Sequence, residues 1–170
     1  FMDEANSCKT KIRQTPLAFL MPPELKNKAR WMNLEPLIDW SNRVLKFLDN
    51  PHEGLKKAEV KVTAETVDEK MGWLRQHVES IAQWTLMMEA ASTILMFIRM
   101  NGYHEAAPEE LETLLSKFTH GPPLRMIAEV LNFVRVQSSR AGTESLPGST
   151  EVLASLIGKG KQLTGSTKKG

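Results

Sequence analysis

The sequence predicts an all-α fold, a bundle of about five or six helices with one long central helix. Three observations predict it. Apolar residues recur every three or four positions through most of the chain, which is the helical period. Proline and glycine stand where helices begin and end, and strand-type alternation is scarce. The 170 residues suit one domain of ordinary size, with 41% hydrophobic and 25% charged residues, as in a globular protein rather than a disordered one.

The first 21 residues form an N-terminal arm in which only Leu17-Ala18-Phe19-Leu20-Met21 is apolar, a short strand or a docked segment. Behind Pro22-Pro23, Glu24 to Met32 has a short helix's signature, with prolines and an acid at its start. Asn33 is a plausible N-cap for a second helix over Leu34 to Asp49, where Leu34, Leu37, Ile38, Ser41, Val44, Leu45 and Leu48 line one face. Pro51, Gly54, Lys56, Lys57, Glu59 and Lys61 make a polar connector, expected as loop or hinge.

Thr66 and Glu69 resemble a capping box opening the dominant element. Its expected stripe runs through Met71, Leu74, Val78, Ile81, Thr85, Met88, Ser92, Leu95 and Arg99. Unbroken from Thr66 to Met100 it would extend roughly 50 Å, and Asn101-Gly102 supplies a left-handed stop. Helices are expected again at Pro108 to Phe118, with Leu111, Leu114, Leu115 and Phe118 inward, and at Leu124 to Gln137, with Ile127, Val130, Leu131 and Val134 inward. Composition thus divides the chain into the arm (1–21), a helical bundle (22–137), a linker (138–149) and a C-terminal helix with a basic tail (150–170).

No run of about 18 uninterrupted apolar residues is present, and no basic start precedes an apolar segment, so a cytoplasmic protein without a membrane span is expected. The boundaries at Phe1-Met2 and Lys168-Lys169-Gly170 suggest a piece of a longer reading frame. A lone Cys8 excludes an intrachain disulfide framework.

Local chemistry is sparse. His52, His77, His104 and His120 lie far apart without metal-ligand spacing, and phosphate-binding glycine loops and nucleophile elbows are missing, so no small-molecule substrate is evident. Asp39 and Glu89, each among apolar neighbours, are either partly buried carboxylates or members of a solvated face. Met87, Met88, Met96 and Met100 suit a helical core better than an adaptable groove, and Trp31, Trp40, Trp73 and Trp84 suit packing anchors better than a base-stacking platform. The net charge of +2 predicts no polyanionic partner. Its distribution is more informative: Lys9, Lys11, Arg13, Lys26, Lys28 and Arg30 face only Glu24 in residues 9–30, and Lys159, Lys161, Lys168 and Lys169 follow Glu151 with no further acid. Together the two ends would make a basic, phosphate-neutralising surface; apart they are solvated termini.

Two segments add a resemblance. Phe19-Leu20-Met21-Pro22-Pro23-Glu24-Leu25-Lys26-Asn27-Lys28-Ala29-Arg30-Trp31-Met32-Asn33-Leu34 and Leu146-Pro147-Gly148-Ser149-Thr150-Glu151-Val152-Leu153-Ala154-Ser155-Leu156-Ile157-Gly158-Lys159-Gly160-Lys161 resemble segments of bacterial insertion-sequence transposases of the Asp-Asp-Glu type. Between them Gly72-Trp73-Leu74 and Arg99-Met100-Asn101-Gly102-Tyr103 fit the same family in the same order. The resemblance implies an RNase-H-like enzyme whose carboxylates bind two divalent ions, Mg or Mn, for in-line attack on DNA. By the same resemblance, residues 22–137 look like a helical insertion, 150–163 look like the helix bearing the last catalytic glutamate, and the two aspartates lie upstream of Phe1.

One departure stands out. The family pattern expects Glu seven residues before Lys161, and that position is Ala154; Glu151 cannot serve in this register, since Gly158 follows it by seven. Ala154 points to a decayed or deliberately inactivated copy, or to a different register. No catalytic residue is therefore carried over, and this chain needs no cofactor of its own. Lys159 and Lys161 become candidates for DNA-phosphate contact, or belong to a solvated tail. The resulting expectation is a transposase remnant, incompetent alone and binding DNA weakly. The alternative is a helical interaction module that forms homo-oligomers through its long helix.

Overall fold

The computed structural model describes residues 1–24, 30–142 and 146–148, with side chains of 30–33 excepted. Among these residues the fold is all-α, as the periodicity predicts. The helices are α1 (Met2–Ile12), α2 (Arg30–Asp49), α3 (Pro51–Lys57), α4 (Ala64–Met71), α5 (Val78–Asn101), α6 (Ala107–Leu115) and α7 (Pro123–Ala141). The chain divides into two compact units, Phe1–Ala82 and a second beginning at Gln83, the boundary falling inside α5.

In the first unit the expected strand or arm contains a helix. Asp3 and Glu4 in the first turn of α1 and Lys9 and Lys11 in the last oppose its dipole favourably. It buries Ala5, Cys8 and Ile12, a stripe too narrow to stand out in a polar segment. Leu17–Met21 forms no strand; Ala18–Leu20 is a 3-10 turn with Leu20 buried. The Leu20 carbonyl accepts a hydrogen bond from the Trp40 indole at 2.8 Å, giving that buried ring its polar partner.

Helix α2 begins at Arg30, so Asn33 lies within it and is not its cap. The expected short helix overlaps residues 25–29, outside the described set. Leu37, Ile38, Trp40, Val44 and Leu48 are buried, and Ser41 fits the same face because its hydroxyl donates to the Leu37 carbonyl at 2.7 Å. The connector after α2 is also helical rather than loop: Pro51 opens α3, Asn50 donates to Glu53 at 2.9 Å, and Leu55 is buried. One apolar residue in seven leaves no period to read. A Cβ on Gly54 would run into the Phe47 ring, so a larger residue there would need that ring to move.

The long run comes next, from Ala64 to Asn101, capped three residues earlier than expected. Thr63, not Thr66, accepts the cap hydrogen bond, from the Thr66 amide at 3.3 Å. A 3-10 segment, Gly72–His77, separates α4 from α5. Val67, Met71, Leu74 and Ile81 pack with α1 and α2 residues into the first unit's core. Within α5 the buried residues include Met87, Met88, Ala90, Ala91, Ile94, Phe97 and Ile98. Val78, Ser92 and Arg99, expected inward, are exposed. The helix is apolar on nearly every side, so periodicity alone selects no face. Its most apolar 18-residue window has a mean hydropathy of 1.4 and is 39% buried. By length and composition alone the run would cross a bilayer, a criterion that core helices of soluble proteins also meet.

In the second unit Gly102 ends α5 at φ 69°, the left-handed stop that Asn101-Gly102 predicts. Helix α6 opens with Pro108 and buries Leu111 and Leu115, while Leu114 is exposed. It packs on α7, whose buried face comprises Met126, Ile127, Val130, Leu131 and Val134. Helix α7 continues through Ala141, into the span whose composition marks a linker. Beyond it Leu146 and Tyr103 exchange two backbone hydrogen bonds of 2.9 Å. Gly148 lies so close to Ile98 that a Cβ would sit 2.5 Å from its carbonyl oxygen.

Candidate functional site

The first unit holds a cleft of about 350 Å³ between α1 and the α4–Trp73 stretch. The spacing of Glu4, Ser7, Cys8 and Lys11 puts them on one side of α1. Glu69, Lys70 and Trp73 form the opposite wall. The charges are largely matched within the wall: Glu69 pairs with Lys70 at 2.7 Å, and Glu4 accepts from His77 Nε2 at 2.7 Å. Lys11 is exposed and makes no ion pair among the described residues.

Cys8 is 3% exposed and its Sγ lies 3.5 Å from the Met71 sulfur. Burial pushes its thiol above the ordinary range, outweighing Trp73 and Lys11, which act in the other direction. A thiol held protonated is a poor nucleophile. The cleft therefore presents a binding-sized surface without an activated group. A second cleft, about 490 Å³, is lined by Leu48, Pro51, Glu65, Asp68 and Arg75 among others, with Asp68 and Arg75 ion-paired. Sequence reading passed over the first cleft, although the spacing of Glu4, Cys8 and Lys11 already aligns them on a helix.

The candidates singled out in the sequence are not gathered into either cleft. Lys159, Lys161 and Ala154 lie outside the described residues, as do Lys26, Lys28 and the whole 150–163 segment. Asp39 is exposed, on a solvated face. Glu89 is exposed too and pairs with Lys117. Lys9 is bound to Glu24 at 2.7 Å, and that hydrogen bond and charge hold the Glu24 carboxyl below its usual range. Lys11 and Arg13 remain exposed cations.

Of the histidines, His77 faces Glu4, His104 lies 3.8 Å from Glu110, and His120 bonds to Thr119. No group of three His, Cys, Asp or Glu able to hold a metal occurs among the described residues. Met87 and Met88 are core, whereas Met96 and Met100 are 63% and 77% exposed. Trp40 and Trp73 pack with ring centres 6.3 Å apart and planes tilted by 33°, an anchor pair in the first unit.

Among the described residues the fold defines an all-α protein. No family model, curated protein or solved structure matches the chain.

Proposed function

We propose that this chain is a transposase-derived helical segment that contacts DNA through basic residues and does not cut it alone. One observation carries the proposal: the two transposase-like segments, Phe19–Leu34 and Leu146–Lys161, flank an all-helical span in the family's order. A helical insertion would have this character.

The residues at hand do not fit the two-metal centre of such an enzyme. Position 154 offers only a methyl group, and the described residues contain no cluster of three potential ligands. No chemical step is routed through metal. What the chain retains is charge: Lys159 and Lys161, with Lys168 and Lys169 beyond, neutralise phosphates and release counterions. The expected binding is weak, tolerant of sequence and sensitive to salt.

Fluorescence anisotropy of a labelled duplex, titrated with the whole chain at low and moderate salt, tests the proposal. Affinity is expected to fall as salt rises. In the Lys159→Ala/Lys161→Ala variant the slope of log affinity against log salt should shrink by about two. Absence of binding at both salt concentrations would overturn it.

A further inference from the structure

The exposed side of α5 in the second unit carries a pattern that is its own complement. Glu89, Ser92, Met96, Arg99 and Met100 are all exposed, and at 100° per residue they occupy a stripe about 100° wide. Ala90, Ala91, Ile94 and Ile98 take the opposite, buried side. Glu89 and Arg99 are equidistant from position 94, and so are Ser92 and Met96. A two-fold axis at that level, relating two antiparallel copies, brings each Glu89 opposite Arg99 of the partner subunit. It also sets each Met96 over Ser92 of the partner subunit, a long apolar side chain against a small one.

We infer that this stripe is the seam of a homodimer, in which α5 packs antiparallel against α5 of a second copy about position 94. A two-fold interface needs one patch to match itself, and this one does so in charge and in size. Arg99 has no ion-pair partner among the described residues, while Met96 and Met100 are exposed more fully than core-forming methionines. Met96 and Met100 give the stripe apolar surface to cover. Glu89 already reaches Lys117, so the seam would place its carboxylate between two cations. This seam is independent of the DNA reading.

Sedimentation equilibrium of the whole chain over a concentration series should show a monomer passing to a dimer. Glu89→Arg and Arg99→Glu each put like charges opposite one another at both ends of the seam, and each should weaken the dimer about tenfold. The double variant Glu89→Arg/Arg99→Glu restores opposite charges and should recover most of the affinity, which a general folding defect would not. Register is read separately: oxidising an equimolar mixture of Ser92→Cys and Met96→Cys chains should yield mainly the mixed cross-linked dimer. The seam is overturned by a strict monomer up to about 1 mM, by single reversals that leave association unchanged, or by cross-links that join only like variants. A chain that stays monomeric but sediments with lipid vesicles would assign the face to a bilayer instead.

Discussion

Cys8 shows how one buried atom sets a residue's chemistry. Its Sγ faces the Met71 sulfur, and burial keeps it protonated. Iodoacetamide should therefore label the native chain slowly at neutral pH and the urea-unfolded chain quickly. Linkage gives the sign of the pH effect. The folded thiol holds its proton to higher pH than the unfolded one, so its contribution to stability is intact below the ordinary thiol range and falls as pH rises through it. Urea midpoints compared between the native sequence and Cys8→Ala across that range should converge at alkaline pH.

Ser138 presents the reverse case. It is 4% exposed on α7 and its hydroxyl has no hydrogen-bond partner among the described residues. An unpaired buried hydroxyl is a cost, so Ser138→Ala should leave thermal stability unchanged or raise it by about 1 kcal/mol. Neither effect was legible in the sequence, because both depend on which atoms end up enclosed.

At the scale of elements, legibility followed the breadth of the apolar stripe. Helices α2, α6 and α7 repeat large apolar residues every three or four positions, and the Asn101-Gly102 stop announces its own backbone requirement. Helix α1 carries only Ala5, Cys8 and Ile12 inward, and α3 only Leu55, so neither rises above its polar surroundings. Their burial is decided by the partners: α1 packs on α4, and α3 on both α2 and α4.

The cap of α4 was misplaced for a different reason. Thr66 has the capping-box acid Glu69 three residues on, whereas Thr63 has Thr66 at that spacing, and the two hydroxyls lie 3.2 Å apart. Only the fold selects Thr63. Thr63→Ala should cost about 1 kcal/mol in urea unfolding, and Thr66→Ala distinctly less.

Across the whole molecule, one mutation separates core from surface within a single helix face. Leu111 is fully buried and Leu114 is 49% exposed. Leu111→Ala should destabilise the second unit by about 2–5 kcal/mol, seen as faster amide exchange in α6 and α7, whereas Leu114→Ala should fall within about 0.5 kcal/mol of the native sequence.

The all-α class and most helix positions were determined by the sequence alone, because the hydrophobic period and the proline and glycine signals are local. The tertiary structure alone decided which way α5 faces. A helix apolar on nearly every side is oriented by its neighbours, and those neighbours bury Ile94 and Ile98 while leaving Glu89, Ser92, Met96 and Arg99 to solvent. The division within α5 and the cleft beside Cys8 arose in the same way, since each depends on segments distant in sequence meeting in space.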